Sequence, residues 1–405
     1  MGSYLLLLKV PHMAPLLAAT LLARLPIGIN GLAIILFLRA ETGSFAVAGA
    51  AAGALALGSG FGAPVGARLI DRLGPAVLPV LAVIHAGGLV GLVLLGSARA
   101  PTLALVAVSA ITGMVLPPVS SVLRALYPRL LASDRALTQT AFALDSVLTE
   151  VLFVAGPLIT AALVAFVNPG AALLVSGAAV VVGTVSFFLA LPARPAAPPG
   201  VSHSRAGPLG ALKDPGMRTL VFSMLPVGFA FGAIEVAIPA FADAEGRPEL
   251  AGILIAIWSL GSAVGGLVYG ARPRRAPLAK VHLTVAVIIP ASLLPIAVAW
   301  SPAAMALLVV PAGVFIAPLI ATRNELAGTV APPGSETEAY TWPLTALVSG
   351  IALGAAAAGL LVDTVGWRSA VLAGAAAAAV GAVISVTRRR TLDRPPLIVA
   401  ATPAA

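Results

Sequence analysis

Long apolar runs recur along the whole chain and decide what it can fold into. Each run is about 18 residues or longer, enough to cross a hydrocarbon core of ~30 Å at ~1.5 Å per residue. Backbone groups in lipid must bond internally, and the runs lack the alternation of barrel strands. The sequence therefore predicts an all-α membrane protein with twelve spans, numbered 1 to 12, at 13–38, 45–66, 76–97, 101–123, 138–167, 170–191, 218–241, 250–271, 279–300, 302–322, 339–362 and 367–387.

The composition is typical of a membrane protein and excludes several chemistries. Of the residues, 60% are hydrophobic and 10% are charged, against roughly 25% charged in a soluble domain. The chain has no cysteine, which excludes disulfides, thiolate metal sites and cysteine nucleophiles. The first eleven residues lead into a full-length span with no cleavage pattern, so we expect no removable signal peptide.

The basic residues indicate the orientation. Only four arginines fall in the loops of one face, here called the outer face: Arg39, Arg99, Arg247 and Arg368. Apart from Arg24, within span 1, the other Lys and Arg residues fall on the opposite face, here called the basic face. By the positive-inside rule both termini are cytoplasmic. The net charge of +9 then faces anionic lipid, and we expect no nucleic-acid partner.

The chain repeats itself at an offset of about 200 residues, and four motifs return in the same order. They are Leu25-Pro26-x-Gly28 as Leu225-Pro226-x-Gly228, Gly62-x3-Gly66 as Gly266-x3-Gly270, Gly113-x4-Pro118 as Gly313-x4-Pro318, and Ala141-Phe142 with Gly156 as Ala339-Tyr340 with Gly354. The repeat predicts two pseudo-symmetric six-helix halves, at 1–192 and 218–390. A linker at 193–217 joins them, and a tail follows at 391–405.

Parallel repeats of six helices are associated with secondary transporters that bind their substrate between the halves. The segment Leu69-Ile70-Asp71-Arg72-Leu73-Gly74 follows span 2 and resembles the first cytoplasmic gating loop of the major facilitator superfamily. Gly156-Pro157 is similar to a motif of its drug/proton antiporters. The resemblance covers essentially the whole chain and implies alternating access in an efflux-type transporter, with gating roles for Gly66, Asp71, Arg72 and Gly74.

Glycines at four-residue spacing form stripes on two spans. Gly58, Gly62 and Gly66 lie in span 2, and Gly350 and Gly354 lie in span 11. Such stripes let helices approach closely. In the family that the chain resembles, spans 2 and 11 meet across the halves, so the stripes are expected at that moving contact. Ordinary packing within one half is the alternative.

Four ionisable residues lie well inside the predicted spans: Arg24, Asp145, Glu150 and Glu235. Charge in lipid is costly, so such groups usually have partners or a function. Arg24 and Glu150 each lie about 18 Å from the basic face at ~1.5 Å per residue. We therefore expect them to pair if spans 1 and 5 are neighbours, as the resemblance implies. Asp145 lies about 140° around the helix from Glu150. One acid then neutralises Arg24 and the other takes a proton or meets a ligand, unless the charges form a static ion pair.

Glu235 is predicted to face a cavity. Its span contains Pro226, Gly228 and Pro239, and its repeat counterpart is the apolar Ile35. Irregular backbone at membrane depth is tolerated where it lines a cavity, and a lone acid there is a candidate binding group. Asn30 could point into the same cavity or bond a neighbouring helix.

The function predicted is secondary active transport across the plasma membrane by a monomer. Its substrate is expected to be a small amphipathic or weakly polar molecule, exported in exchange for protons without a bound cofactor or metal. A sugar or amino-acid exporter, symporter or uniporter of the same fold remains open. A membrane enzyme would need a metal cluster or an activated nucleophile, and the four histidines are far apart in the sequence. A non-transporting receptor would show a large soluble domain, and no Walker-type motif for ATP occurs.

Overall fold

The computed structural model describes residues 2–131, 135–192, 211–271, 276–330 and 336–392. The helices of the first half are α1 Gly2–Lys9, α2 Met13–Ala23, α3 Leu25–Thr42, α4 Phe45–Leu73, α5 Val77–Ser97, α6 Thr102–Met114, α7 Val119–Leu130, α8 Arg135–Phe166 and α9 Pro169–Ala190. Those of the second half are α10 Pro215–Ala244, α11 Leu250–Ala271, α12 Leu278–Leu293, α13 Pro302–Val314, α14 Ile316–Val330, α15 Glu336–Thr364 and α16 Trp367–Thr387. Short 3-10 turns lie at Ala211–Lys213, Leu294–Val298 and Arg389–Thr391. No strand occurs in these ranges, so the all-α prediction is confirmed.

The described helices form twelve spans that are long and apolar enough to cross a membrane, as predicted. Span 1 consists of α2 and α3, which meet at Arg24 just before Pro26, and span 10 consists of α13 and α14. Proline removes a backbone donor, which accounts for the break in span 1. The expected linker, 193–217, lies outside the described residues as far as 210, and α10 already begins at Pro215. Of the expected tail, 393–405 lies outside them as well.

The two halves repeat in structure as well as in sequence. Gly28 of span 1 packs against the backbone of span 5, and its counterpart Gly228 of span 7 packs against the backbone of span 11. Gly113 of span 4 packs against span 2, and Gly313 of span 10 packs against span 8. In each position a Cβ would overlap a backbone carbonyl of the neighbouring helix. The sequence repeat therefore marks equivalent helix contacts.

Spans 2 and 11 join the two halves near the outer face. A Cβ on Gly49 would overlap the carbonyl oxygen of Ala355, and one on Gly53 would approach the carbonyl oxygen of Ala352. Spans 5 and 8 meet in the same half of the membrane, where Gly252 lies against the backbone of Pro157. These backbone contacts hold the outer parts of the two halves together.

The same face of span 2 changes from buried to exposed toward the basic face. Gly49 and Gly53 are buried, whereas Gly60 and Pro64, which lie on the same side of the helix at 3.6 residues per turn, are exposed. Near the basic end of span 11, Leu344 is exposed as well. Gly60 still lies against the side chain of Val348 of span 11. The contact between the halves is thus closed at the outer face and becomes looser and more accessible toward the basic face.

Candidate functional site

A network of charges lies inside the first half. Arg24 donates from Nη1 to Asp145 Oδ1 at 2.7 Å and from Nη2 to Thr149 Oγ1 at 2.5 Å. Arg124 of span 4 donates from Nε to the second carboxylate oxygen, Asp145 Oδ2, at 2.7 Å. Arg24 and Asp145 are only 5% and 2% exposed. Asp145 therefore bonds two arginines from two helices and ties spans 1, 4 and 5 together. The excess positive charge lies on Arg124, whose side chain is 47% exposed.

The expected pairing of Arg24 with Glu150 is wrong, because the helix face decides the partner rather than the depth. Asp145 lies eleven residues before Gly156, on the same side of span 5, and Gly156 packs directly on Gly28 of span 1. Glu150 lies about 140° around the helix. The long Arg24 side chain reaches the acid that faces its own helix.

Tyr127 lies beside this network, beyond the end of span 4. Its ring stacks edge-on against Phe142 with centroids 5.3 Å apart. Burial raises the pKa of the Tyr127 hydroxyl, and the negative charge of Asp145 raises it further. The hydroxyl therefore keeps its proton, and within the described ranges this buried oxygen has no hydrogen-bond partner.

Glu150 faces the other half of the molecule. It lies seven residues before Pro157 on the same side of span 5, and Pro157 and Ala161 pack against Gly252 of span 8. It is half-buried, about 10 Å nearer the basic face than that contact at ~1.5 Å per residue. No described residue forms a hydrogen bond or an ion pair with it. Glu150 is thus an unpaired acid at the opening between spans 5 and 8.

Glu235 lies between the halves, below the closed outer face. Ala230 and Ala233 of span 7 pack against Gly374 of span 12, and Glu235 lies about 140° and 200° around from these two residues. It therefore points away from span 12. Gly228, seven residues earlier on the same side of span 7, packs on span 11, so Glu235 lies on the side of span 7 next to span 11. It is half-buried, and none of the residues described here is its hydrogen-bond or ion-pair partner. It lies eight residues before Asp243, or about 12 Å deeper at ~1.5 Å per residue.

Aromatic side chains flank this acid. Phe231 lies one turn before Glu235 on the same side of span 7 and meets Trp258 of span 8 edge-on, with centroids 6.1 Å apart. The indole Nε1 of Trp258 is buried without an acceptor among the described residues. Phe231 and Trp258 are only 6% and 5% exposed, so the acid lies next to a packed aromatic pair that contains one unpaired N–H donor.

Asn30 belongs to a buried polar network rather than to the space beside Glu235. Its amide nitrogen lies 3.3 Å from His85 Nε2, and its oxygen accepts from Ser176 Oγ at 2.6 Å. His85 Nδ1 lies 2.8 Å from the carbonyl oxygen of Thr112. A carbonyl only accepts, so Nδ1 carries the proton and Nε2 accepts from Asn30. The network joins spans 1, 3, 4 and 6, which matches the alternative of a bond to neighbouring helices.

The residues of the resembled gating loop lie at the basic end of span 2. Gly66 faces the ring of Pro118, and a Cβ added to Gly66 would lie 3.3 Å from that ring. Arg72 is exposed. Gly74 ends α4 at φ 84°, a conformation that favours glycine, and donates to Ile70 O at 2.8 Å. The side chain of Asp71 lies outside the described part. Their gating role remains a prediction.

The glycine stripes lie within the halves and not between them. Gly58 and Gly62 face span 4, and Gly350 and Gly354 face span 7. The expectation that these stripes make the contact between spans 2 and 11 is therefore wrong. Spacing alone does not reveal which helix a glycine faces, and the glycines one turn or more nearer the outer face, described above, make that contact.

Two bridges between the halves close the outer face. Arg39 of span 1 forms an ion pair with Asp243 of span 7, with Nη2 and Oδ2 3.0 Å apart. The guanidinium of Arg39 also lies over the ring of Phe45, 4.8 Å from its centroid. A cation over an aromatic face is attracted by its quadrupole. Arg39 therefore holds the outer ends of spans 1, 2 and 7.

Asp363, at the end of span 11, caps the beginning of span 2 in the other half. Its carboxylate accepts from Ser44 Oγ at 2.6 Å, and from the backbone N–H groups of Phe45 and Ala46 at 2.9 Å each. The first N–H groups of a helix have no partner within it and carry partial positive charge. Asp363 therefore stabilises the closed outer face. We call the three residues Asp363, Arg39 and Asp243 the outer latch.

The second half contains a buried arginine without a carboxylate. Arg323 of span 10 is 4% exposed and donates from Nη2 to Asn324 at 2.6 Å, while its Nε and Nη1 have no partner in the described part of the chain. His282 of span 9 bonds Thr322 through Nδ1 at 3.0 Å, and its Nε2 is likewise unpaired there. These unpaired nitrogen atoms lie toward the basic face.

Neither the outer latch nor the burial of Arg323 was predicted from the sequence, where these residues appear as loop charges. A signal was present for the latch, because the outer face has few charges and Arg39, Asp243 and Asp363 are among them. Opposite charges on so sparse a face are natural partners. Nothing in the sequence indicated that Arg323 would be buried.

The fold is similar to that of solved transporters. The nucleoside transporter NupG, in a mutant form, has a TM-score of 0.76 at 16% identity, covering 92% of this chain and 99% of that chain. A bacterial homologue of the iron transporter ferroportin, in an inward-facing state, has a TM-score of 0.69 at 16% identity, covering 93% and 98%. A bacterial homologue of the human lysosomal transporter Spinster, inward-facing and unoccupied, has a TM-score of 0.66 at 15% identity, covering 95% and 98%.

These likenesses establish the shared fold. No curated protein sequence matches the chain. The family model of the Major Facilitator Superfamily matches residues 16–343, which cover the first half from the beginning of span 1 onward and most of the second half. The chain is therefore a multi-pass membrane protein of the Major Facilitator Superfamily, a family of secondary transporters.

Proposed function

We propose that this protein exports a small amphipathic or weakly polar molecule across the plasma membrane in exchange for protons, with Glu235 as the group for which both compete. The single observation that supports this most directly is the position of Glu235. It is a half-buried carboxylate without a partner among the described residues, on the side of span 7 that points away from span 12.

The surroundings of Glu235 favour the substrate class. Phe231 and Trp258 supply aromatic surface, and the free indole N–H of Trp258 suits a single hydrogen-bond acceptor. A highly charged substrate would need several paired charges at this depth. A compound with an apolar body and one basic or polar group is complementary to one carboxylate and an aromatic wall.

Proton exchange follows from the chemistry of a carboxylate in an apolar site. Burial disfavours the charged form, so a proton or a bound polar group must compensate the charge. When a substrate with a positive or polar group binds, the proton leaves, and when the substrate leaves, a proton returns. Because the two exclude each other at one group, movement of one against the other couples their gradients.

The outer latch and the opening toward the basic face supply the alternation. With the latch closed, Glu235 is reached from the basic face, which the positive-inside rule assigns to the cytoplasm. Release of Asp363 from span 2 and of Arg39 from Asp243 would expose the same site to the outer face. Substrate taken from the cytoplasm would then be released outside.

Proton flux in proteoliposomes tests this proposal. Vesicles with an imposed pH gradient and an internal pH dye would receive amphipathic amines, neutral amphipathic compounds, sugars, amino acids and a nucleoside. The nucleoside is included because a similar fold belongs to a nucleoside transporter. We expect amphipathic compounds to trigger proton flux in the wild type, and Glu235→Gln to abolish it.

Glu245→Gln is the matched control, because Glu245 follows the end of the same helix and is exposed at the outer face. It should retain the flux. Full proton flux in Glu235→Gln would contradict the role of Glu235. Transport of radiolabelled substrate without proton movement would contradict proton coupling, and a response limited to sugars, amino acids or nucleosides would contradict the substrate class.

A further inference from the structure

An apolar groove runs along the second half, between spans 11 and 12 and over span 7. Its volume is about 600 Å³. Phe222 and Phe229 of span 7 form its floor, Leu353 one wall and Val380 the other. At its end on the basic face it is bounded by Arg388, directly after span 12. The groove takes no part in the site around Glu235.

The groove opens toward lipid and not toward the space between the halves. On span 11, Ala352 and Ala355 face span 2 of the other half. Leu353 lies about 100° from Ala352 and 160° from Ala355 at 3.6 residues per turn. It therefore faces away from the first half, and at 55% exposure it is accessible from the membrane.

The length of the groove matches one leaflet of a bilayer. It extends along span 12 from Ala377 to Arg388, eleven residues or about 16 Å at ~1.5 Å per residue. Half of a ~30 Å hydrocarbon core is about 15 Å. An acyl chain whose headgroup lies at the basic face would reach from Arg388 to the inner end of the groove.

The charge at the mouth of the groove is positive. Arg388 is partly exposed, and Arg389 and Arg390 follow it, both exposed. Among the described residues no carboxylate forms an ion pair with Arg388. A guanidinium binds phosphate oxygens through two parallel N–H donors, and a basic residue near the membrane surface attracts anionic lipid. The positive charge at the mouth therefore favours a headgroup with a net negative charge over a zwitterionic one.

We propose that this groove is a binding site for one anionic phospholipid, with an acyl chain lying over span 7 between spans 11 and 12 and the headgroup phosphate held by Arg388. The site is independent of the substrate and of proton coupling. A lipid at this position packs against the back of span 11, the helix whose other side joins the two halves.

Native mass spectrometry of the full chain in detergent tests the proposal. The protein would be titrated with phosphatidylglycerol and with phosphatidylcholine of identical acyl chains. We expect one phosphatidylglycerol per protein to be retained, and Arg388→Gln to weaken its retention about fivefold relative to phosphatidylcholine. Arg389→Gln, which changes an equally basic residue outside the groove, should leave the preference unchanged.

A second pair of variants tests the groove itself. Ala377→Phe fills the inner end of the groove and should remove the bound lipid, whereas Val383→Phe, exposed on span 12 outside the lining, should not. Size-exclusion profiles would show that both variants fold. Equal losses in Arg388→Gln and Arg389→Gln, equal retention of the two lipids, or normal retention in Ala377→Phe would each overturn the proposal. So would full displacement of the lipid by soluble glycerophosphate.

Discussion

The two halves of the molecule share their helix contacts but use charge differently. In the first half Arg24, Asp145 and Arg124 pair with one another within the helix bundle, and Glu150, at the opening between spans 5 and 8, is the exception without a partner among the described residues. In the second half Glu235 and Arg323 lie at membrane depth without an oppositely charged partner in the described residues. Pairing makes a buried charge structural, whereas an unpaired charge remains free for a proton, a ligand or a change of partner.

The glycine contacts show the same backbone geometry on both sides of the repeat. Gly28 and Gly228 each let the first helix of a half approach the fifth. The difference in charge between the halves therefore arises from side chains alone. In the second half Met224 occupies the position that corresponds to Arg24, and in the first half Ile35 occupies the position that corresponds to Glu235. We infer that, apart from Glu150, the charged residues of the first half are structural and those of the second half carry the chemistry, and the predictions below test that contrast.

The largest effect is expected from Asp145→Ala. It leaves Arg24 buried and unpaired, and breaking a buried ion pair by removing one partner costs about 3 to 5 kcal/mol. Thermal unfolding of the purified protein in detergent should show a markedly lower midpoint. Glu150→Ala is the matched control on the same helix and should cost less than about 1 kcal/mol. Equal losses in the two variants would contradict the assignment of Asp145 as the structural acid.

The next effect is expected from Asp363→Asn, which weakens the cap across the halves. The lost charge-assisted hydrogen bonds should shift the equilibrium toward an open outer face by about 1 to 2 kcal/mol after allowance for solvent exposure, roughly five- to thirtyfold. Spin labels on cysteines introduced at the outer ends of spans 2 and 11 would measure the distance, because the chain has no native cysteine.

Asp243→Asn offers a comparison within the outer latch. It removes one exposed ion pair, and such pairs contribute about 0.2 to 1 kcal/mol, so its shift should be smaller. A larger shift in Asp243→Asn than in Asp363→Asn would show that the ion pair, and not the helix cap, holds the outer face closed.

A change of opposite sign is expected from Arg323→Met. It replaces a buried cation without a counter-charge by an apolar side chain of similar length, which should leave the free energy of unfolding unchanged or raise it by about 1 kcal/mol. Arg24→Met in the first half should instead lower it, because Asp145 loses its buried partner. Both variants would be measured by thermal unfolding. An equal decrease of the unfolding midpoint in the two would contradict the difference between the two halves.

The smallest effect on stability is expected from Glu235→Gln. An acid without a structural partner can be replaced by its neutral isostere at a cost below about 1 kcal/mol. Thermal unfolding should therefore be close to that of the wild type even though transport is lost. A loss of stability comparable to that of Asp145→Ala would show that Glu235 has a structural partner, as Arg24 and Asp145 have.

Much of the fold was predictable from the sequence because it depends on local properties. Twelve apolar runs of sufficient length, prolines and glycines at repeated positions and the family resemblance predicted twelve spans in two halves. The structure confirms the twelve spans and the fold. The prediction that Glu235 faces a cavity remains a prediction, although its half-buried position without a partner in the described ranges agrees with it. The same holds for the gating roles of Gly66, Asp71, Arg72 and Gly74.

The sequence was insufficient where the answer depended on which side of a helix faces which neighbour. The depth of Arg24 and Glu150 was reasonable, yet span 5 turns Asp145 toward span 1 and Glu150 toward span 8. The glycine stripe of span 2 was recognised, yet it faces span 4. The rotation of about 100° per residue gives the angle between any two residues of one helix. Packing alone decides which of them faces a given neighbouring helix.

The sequence by itself determined the membrane environment, the number of spans, the repeat and the types of residue available for chemistry. These follow from hydropathy and composition, which act residue by residue. Only the tertiary structure decided that Asp145 is the partner of Arg24, that Asp363 caps a helix of the other half, and that Arg388 lies at the mouth of an apolar groove. Each of these joins residues far apart in the chain, and such contacts are fixed by the rotation and the close approach of packed helices rather than by sequence position.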